Sequence, residues 1–212
     1  MRGYGRRTGR LTGIIGPMFS GKTTELCRRA NRLTLAGKEW RAFKPWIDQR
    51  YSKEDIVTHD LTSLRSIVVK SSEEIIYHLE RVRFNVAAAF LDETQFFDSG
   101  VIEVINHILN QGVDVVYAAL SSTSEGKPFP FSDGKKHVGD LLALPHEDII
   151  VLKAVCTRCG QDAVFTFYIG SEEKTGVIKV GGSESYTALC RDCYNEMLSK
   201  SVGKGTGTGR RR

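Results

Sequence analysis

The chain has 212 residues, of which 41% are hydrophobic and 26% charged, and its formal net charge is +5. This length and apolar content predict one ordinary globular domain with a small additional module, and they exclude a wholly disordered chain. No apolar run reaches the ~18 residues that a membrane span requires, and the Arg-rich start lacks the apolar segment of a secretory signal, so we expect a cytoplasmic protein with no membrane partner.

The basic excess lies at the two ends of the chain. Residues 1–10 and 201–212 each carry four Lys or Arg and no acid, and removing those eight charges from +5 leaves −3 for residues 11–200. Their Gly, Thr and Arg content offers little apolar surface, which predicts two disordered basic tails. Weak binding of nucleic acid or acidic surfaces is the alternative role, and we expect no specific nucleic-acid partner.

Strand-like and helix-like segments alternate along residues 11–152. The helix-like segments are 24–36, 72–83, with Ser71 or Ser72 as the N-cap, and 100–110, which ends at Gly112. Short apolar runs predict buried strands at 11–15, 41–44, 67–69, 86–91, 113–120 and 149–155. The alternation predicts an α/β fold, a P-loop NTPase-like parallel sheet flanked by helices.

The loop after the first predicted strand reads GPMFSGKT, which has the form GxxxxGK[ST]. Its members are Gly16, Pro17, Met18, Phe19, Ser20, Gly21, Lys22 and Thr23. In such a loop the backbone N–H groups and the following helix N-terminus bind phosphates, Lys22 reaches the β- and γ-phosphates, and Thr23 ligates Mg²⁺. The predicted ligand is a nucleoside triphosphate, ATP, with Mg²⁺. The alternative, a Gly-rich turn with a chance Lys, is disfavoured because strand, motif and helix follow in the expected order.

Asp92 and Glu93 follow the fourth predicted strand, at the carboxyl end where an open α/β sheet binds its ligands. We expect Asp92 to hold Mg²⁺, directly or through water, and Glu93 to act as a general base toward the group that attacks the γ-phosphate. A solvated acidic loop is the alternative interpretation.

Four of the five cysteines form two CxxC pairs, Cys156 with Cys159 and Cys190 with Cys193. Two such pairs predict one structural Zn²⁺ in a small module at residues 153–200. Thirty residues separate the pairs, more than the ~15–20 of a compact zinc ribbon, so we expect an inserted hairpin, with strands at 163–169 and 177–180, and a loop. Redox-active disulfides are the alternative. The fifth, Cys27, is predicted to be a small core residue.

Taken together, these motifs resemble the thymidine kinases of the zinc-containing, tetrameric type. The resemblance runs from about Thr12 to Tyr194. Besides the GPMFSGKT loop, the shared stretches are FKPWIDQRYS at 43–52, THD at 58–60, LDETQFF at 91–97, KPF at 127–129, LKAVCTRCG at 152–160, and GG at 181–182 followed by Tyr186 and CRDCY.

This resemblance implies transfer of the ATP γ-phosphate to the 5′-hydroxyl of thymidine, which gives dTMP and ADP. Glu93 would deprotonate the 5′-hydroxyl, and Arg50 would stabilise the transferring phosphoryl group. A homotetramer and feedback inhibition by dTTP are also implied.

The same resemblance implies a set of nucleoside contacts, namely Met18, Gln95, Phe96, Thr166 and Tyr186. Phe96 and Tyr186 would sandwich the thymine ring, whereas Thr166 and Met18 would lie beside its 5-methyl group. A loop of about residues 170–188 would close over the nucleoside.

The chain departs from the family pattern at residues 121–126, which read SSTSEG where an Asp-Gly or Asp-x pair and a following Phe are expected. This change affects one wall of the nucleoside pocket, so a deoxynucleoside kinase with a shifted base preference is one alternative function. Another is a P-loop ATPase with a zinc ribbon that acts on nucleic acid, although 212 residues cannot hold two helicase cores. A non-catalytic relative is the third.

Overall fold

A computed structural model of the chain describes residues 8–46, 65–170 and 185–203. Arg50, the predicted strand at 177–180 and most of both predicted tails lie outside the described residues. Within these ranges no helix is both long and apolar enough to cross a bilayer. The elements are β1 (Leu11–Ile15), α1 (Lys22–Leu35), β2 (Trp40–Pro45), β3 (Ser66–Val69), α2 (Glu73–Glu80), β4 (Ala88–Leu91), a 3₁₀ turn (Thr94–Phe96), α3 (Val101–Asn110), β5 (Asp114–Ala119), α4 (Val138–Leu142), β6 (Asp148–Val151), β7 (Ala154–Val155), β8 (Asp162–Ala163), β9 (Phe165–Tyr168), β10 (Tyr186–Leu189) and α5 (Arg191–Gly203).

The central sheet confirms the predicted α/β fold. Among the described residues it has six strands in the order β3-β2-β4-β5-β1-β6, and every neighbouring pair is parallel. The carboxyl ends of parallel strands meet at one edge of a sheet. Because β4, β5 and β1 are adjacent, the segments that follow them, residues 92–93, 120–121 and 16–23, converge at that edge.

Helices cover both faces of this sheet. Leu26 and Ala30 of α1 are buried against Ile14, Phe90 and Val116 on one face. The other face packs against α2 and α3, whose buried apolar residues are Ile75, Leu79, Val101, Ile102, Val104, Ile105 and Ile108. A strand that is buried on both sides needs apolar residues at successive positions, which is why the run that contains β4 does not alternate with polar residues.

Tertiary contacts correct one local prediction and add detail to another. The predicted strand at 149–155 divides into β6 and β7, because the Leu152 N–H donates to the Ile15 carbonyl (2.8 Å) and the chain then leaves the sheet to pair β7 with β8. Ser72 is the N-cap residue of α2, as predicted, but its hydroxyl makes no capping hydrogen bond to that helix. It donates to Asp98 Oδ1 (2.7 Å), and the same carboxylate accepts the N–H groups of Ser72 (2.8 Å) and Gly100 (3.0 Å). Asp98 therefore joins the N-terminal ends of α2 and α3.

The described residues 153–170 and 185–203 form a second unit, here called the cysteine module, with a core of its own. Two antiparallel hairpins, β7–β8 and β9–β10, precede α5. The buried core residues are Ala154, Cys156, Ala163, Ala188, Leu189 and Tyr194. The C-terminal end of the loop predicted at about 170–188 is corrected, because Tyr186 begins β10, which pairs with β9. Residues 171–184 lie outside the described residues.

Candidate active site

Residues 16–23, here called the glycine loop, turn tightly from β1 into α1. A Cβ added to Gly16 would clash with the Leu152 carbonyl oxygen, so a side chain does not fit there. The Pro17 carbonyl accepts hydrogen bonds from Ser20 Oγ (2.9 Å) and Lys22 Nζ (2.6 Å). Gly21 then adopts a positive φ of 80°, which a glycine tolerates at no steric cost, and α1 begins at Lys22. The N-terminus of α1 and the Lys22 ammonium thus lie at the same loop, an arrangement suited to bind phosphate.

The Lys22 ammonium is partly buried beside two carboxylates. Burial lowers the pKa of Lys22 below its usual range, and attraction to Glu93 and Asp92 offsets part of that effect. An added anion at this position would favour the charged ammonium. The environment of Lys22 therefore suits a cation that works on a polyanionic ligand.

Thr23 and Asp92 form a pair between the start of α1 and the end of β4. The Thr23 hydroxyl lies 3.3 Å from Asp92 Oδ1 and 3.1 Å from Oδ2. A hydroxyl and a carboxylate are the hard oxygen donors that Mg²⁺ prefers. At phosphate-binding sites the protein supplies only one or two Mg²⁺ ligands, and water and phosphate oxygens supply the others. The donor set fits the predicted Mg²⁺ role.

Glu93 adopts an uncommon backbone conformation. Its φ of 48° and ψ of 42° place it in the left-handed region, which costs a non-glycine residue about 1–3 kcal/mol. The turn is held by the Glu93 N–H, which donates to Asp92 Oδ1 (3.0 Å), and by the buried Thr94 hydroxyl, which donates to the Leu91 carbonyl (3.1 Å). This geometry makes the chain turn sharply after β4, at the two carboxylate residues Asp92 and Glu93. The sequence carried no signal for it.

Gln95 lies directly behind Glu93 and is 0% exposed. Its side-chain amide N–H donates to Glu93 Oε2 in a short hydrogen bond, and its Oε1 accepts the Leu120 N–H at 3.1 Å. Both ends of the amide are thus engaged with the protein.

Phe96 and Phe97 have different environments. Phe97 is 2% exposed and belongs to the core, whereas Phe96 is half-buried and packs edge-on against Phe129 at 5.8 Å between ring centroids. Of the two rings, Phe96 is therefore the one that retains surface for a ligand.

The cysteine module contacts the glycine loop directly. Thr166 of β9 is 4% exposed, and its hydroxyl accepts the Met18 N–H at 2.9 Å. Thr166 and Tyr168 share a face of the hairpin because they are two residues apart, and Tyr186 on β10 pairs with Tyr168 and therefore faces the same side. Tyr186 thus lies on the hairpin face that meets the loop.

The segment at 121–126 is closed by its own backbone. The Thr123 N–H donates to the Lys127 carbonyl (2.8 Å), and the Phe129 N–H donates to that of Ser121 (3.2 Å). Tyr194 of the cysteine module donates its hydroxyl to the Ser124 carbonyl (3.0 Å) and stacks on Phe165 at 4.3 Å. This role of Tyr194 was not predicted from the sequence, although its position directly after the second CxxC pair was a signal that could have suggested one.

The four paired cysteines converge at the junction of the two hairpins and α5. The sulfur atoms of Cys156, Cys159, Cys190 and Cys193 lie within 4.8 Å of one another, and those of Cys159 and Cys190 are 3.6 Å apart. Four thiolates about 2.3 Å from one Zn²⁺ lie about 3.8 Å from each other. Burial of the Cys156 thiol is outweighed by hydrogen bonds from nearby backbone N–H groups, which lower the pKa of Cys156 to about 6. The cluster therefore fits a Zn²⁺ ion that is bound by four sulfurs.

A family model described as Thymidine kinase matches residues 9–194. The chain belongs to the thymidine kinase family. It is 37% identical over 199 residues to a thymidine kinase of Bacteroides fragilis (strain YCH46), covering 94% of each chain. It is 37% identical over 194 residues to a thymidine kinase of Pseudothermotoga lettingae, covering 91% of this chain and 98% of the relative. For a thymidine kinase of Bacteroides thetaiotaomicron the identity is 36% over 189 residues, covering 89% and 88%.

The structure brings together most of the residues predicted for this thymidine kinase family member. Lys22 and Thr23, at the start of α1, lie near Asp92 and Glu93, which follow β4. Met18 of the glycine loop contacts Thr166 of the cysteine module. Arg50 lies outside the described residues. The roles of these side chains in the family's reaction stay predictions.

Replacing Thr166 with Val tests the contact between the cysteine module and the glycine loop. Valine keeps the shape but removes the acceptor for the Met18 N–H, and leaving such a group without a partner costs about 1–3 kcal/mol. We expect a lower free energy of unfolding and higher KM values for both substrates. Thr187→Val is the matched control, because the Thr187 hydroxyl pairs with that of Thr157 on an exposed face. Equal stability and KM in both variants would contradict the prediction.

Proposed function

We propose that this protein transfers the γ-phosphate of ATP to the 5′-hydroxyl of thymidine, giving dTMP and ADP. Its membership of the thymidine kinase family supports the substrate and the reaction. The observation that carries the proposal is the placement of Glu93 beside the Thr23–Asp92 pair and within the electrostatic field of Lys22. A base, a cation and hard oxygen donors thus lie together at one edge of the sheet.

In the proposed mechanism, Glu93 accepts the proton of the thymidine 5′-hydroxyl as that oxygen attacks the γ-phosphorus. Lys22 and the N-terminus of α1 stabilise the negative charge on the transferring group, and Arg50 adds a second cation. Thr23 and Asp92 would hold Mg²⁺, which neutralises charge on the β- and γ-phosphate oxygens when bound. The bond from the γ-phosphorus to the bridging oxygen breaks, and ADP leaves with that oxygen.

The proposed nucleoside site lies between the glycine loop and the cysteine module. Thr166 and Met18 would contact the 5-methyl group, and Phe96 and Tyr186 would stack on the two faces of the base. The support is the Thr166–Met18 hydrogen bond and the shared hairpin face of Thr166 and Tyr186. Gln95 was also predicted to contact the nucleoside.

Five finer statements complete the proposal. The cysteine cluster holds a structural Zn²⁺, the enzyme acts in the cytoplasm as a homotetramer, dTTP inhibits it, and it has no specific nucleic-acid partner. The clustered sulfurs support the first of these, and the family resemblance suggests the tetramer and the inhibition.

ADP release by the purified, zinc-replete protein with Mg-ATP tests the proposal. The acceptors compared are none, thymidine, deoxyuridine, deoxycytidine and single-stranded DNA. We expect strong stimulation by thymidine. A preference for another nucleoside would indicate shifted base selectivity, stimulation by DNA alone would overturn the kinase assignment, and no stimulation would indicate a non-catalytic relative.

Replacing Ser121 with Asp tests the unusual segment at 121–126. Ser121 follows Leu120, whose N–H binds Gln95, so a new carboxylate at this position lies close to the Glu93 environment. We expect the thymidine KM to change while the ATP KM stays within about two-fold, because the segment lies at the nucleoside side of the site. Indistinguishable kinetics would show that Ser121 is a strand-end turn residue with no influence on the pocket.

A further inference from the structure

The geometry points to Gln95 as a positioning residue that orients the carboxylate of Glu93 for proton abstraction. This inference rests on the proposed function, because it gives Glu93 the role of base. It differs from the thymidine contact that the family resemblance implies for Gln95, and the two roles predict different kinetics.

The orientation of the Gln95 amide is fixed by its two partners. A backbone N–H can only donate, so the group facing Leu120 must be the amide oxygen, which accepts at 3.1 Å. An ionised carboxylate can only accept, so the group facing Glu93 must be the amide nitrogen. In the reversed orientation the amide N–H group would face the Leu120 N–H, and the amide oxygen would face the Glu93 carboxylate, so neither hydrogen bond could form. The Gln95 side chain therefore has one orientation that satisfies both contacts.

This bridge connects the catalytic carboxylate to the rigid centre of the sheet. Leu120 follows β5, which lies between β4 and β1 and is buried at every position from Val115 to Ala119. Glu93 itself lies in the turn after β4, with its own backbone in the left-handed region, and not in a regular element. The Gln95 side chain therefore holds the Glu93 carboxylate in position relative to the sheet, although the backbone of Glu93 lies in a turn.

Burial favours a positioning role for Gln95 over a substrate contact. Gln95 is 0% exposed, and both polar ends of its side chain are hydrogen-bonded within the protein. The amide nitrogen and oxygen each keep one further hydrogen-bonding position, but because the residue is 0% exposed, a direct bond to thymidine requires the surrounding groups to move. A hydrogen bond to the carboxylate, by contrast, acts while both bonds stay in place, and precise placement of a base within hydrogen-bond reach is what proton transfer demands.

The first test is Gln95→Leu, which keeps the approximate side-chain volume and removes both hydrogen bonds. We expect kcat for thymidine phosphorylation to fall about 10–100-fold, part of the about 10²–10⁴-fold that a general base contributes. The KM for thymidine is expected to stay within about two-fold. Gln111→Leu is the matched control, because Gln111 precedes β5 at the opposite edge of the sheet.

The second test is the pH profile of Gln95→Glu, which also serves if the Leu variant does not fold. The introduced carboxyl group keeps the acceptor for Leu120, and two neighbouring carboxylates share one proton at lower pH, so the protonated group still donates to Glu93. Lys22 and Asp92 lie near Glu93 and are present in both wild type and variant. As pH rises the second carboxylate ionises and the donor is lost. We expect kcat relative to wild type to be higher at about pH 6 than at about pH 9.

The outcomes separate this inference from the proposed function. Wild-type protein without thymidine-dependent ADP release refutes the function itself. Active wild type with a Leu variant that changes only the thymidine KM shows that Gln95 contacts substrate, and this overturns the positioning role. An unchanged kcat in the Leu variant, or a Glu variant whose pH profile matches wild type, also overturns it.

Discussion

Replacing Glu93 with Gln is expected to lower thymidine-dependent ADP formation by about 10²–10⁴-fold, the contribution of a general base. Glutamine has the same size, and its amide oxygen still accepts the hydrogen bond from Gln95, so the local fold is retained. The glutamine side chain at position 93 cannot accept the proton of the thymidine 5′-hydroxyl. The ATP dissociation constant is expected to stay within about three-fold, because the glycine loop is unchanged.

The measurement combines steady-state ADP release with calorimetric titration of ATP. Glu103→Gln is the matched control, since Glu103 lies on α3 in an exposed ion pair with Lys136 (2.8 Å), and such pairs contribute about 0–1 kcal/mol to stability. A Glu93→Gln variant whose kcat lies within about ten-fold of the wild-type value would mean that another group accepts the proton.

Replacing Cys190 with Ser is expected to release Zn²⁺ and unfold the cysteine module. Structural zinc contributes about 10–16 kcal/mol of apparent binding free energy in small zinc-binding peptides, and three remaining thiolates hold the ion far less tightly. In the part of this module that the structure describes, the core has six buried residues, too few to replace that contribution. Because Thr166 belongs to the same unit and binds Met18, thymidine phosphorylation should fall together with zinc content.

Zinc per chain by mass spectrometry, thermal denaturation and kcat form the readout. Cys27→Ser is the control for zinc content, because Cys27 is buried in α1 and is separate from the cluster. A Cys190→Ser protein that keeps one zinc ion, the wild-type melting temperature and full activity would disprove the four-sulfur site.

The parts of the fold that could be predicted were those encoded locally. The run Leu11–Ile15, the glycine loop and the apolar stretch before Asp92 each combine a strand pattern with a loop motif, and parallel strands then place their carboxyl ends together. The cysteine cluster could also be predicted from a local pattern, because the CxxC spacing places the two sulfurs of each pair close enough to bind one ion.

The features that could not be predicted depend on partners distant in sequence. Ser72 is a residue type common at N-caps and occupies that position, but its hydroxyl and its N–H donate hydrogen bonds to Asp98, 26 residues later. The positive φ of Glu93 has no signal in its residue type. The helix α5 was absent from our prediction because its apolar residues are few.

The roles of Gln95 and Tyr194 illustrate the same limit at the site. Gln95 stands in a recognisable motif, yet its partner Leu120 is 25 residues away. Tyr194 reaches Ser124 across 70 residues. Such contacts follow from the order of strands in the sheet and the docking of the cysteine module, neither of which a residue pattern specifies.

The hydrogen bond from the Met18 N–H to Thr166 joins the glycine loop to the β9–β10 hairpin, and therefore joins the proposed ATP site to the proposed nucleoside site. If occupation of one site strengthens or weakens this bond, the affinity of the other site changes, and linkage requires both affinities to change by the same factor. A single backbone amide can therefore influence how much the binding of one substrate changes the affinity for the other.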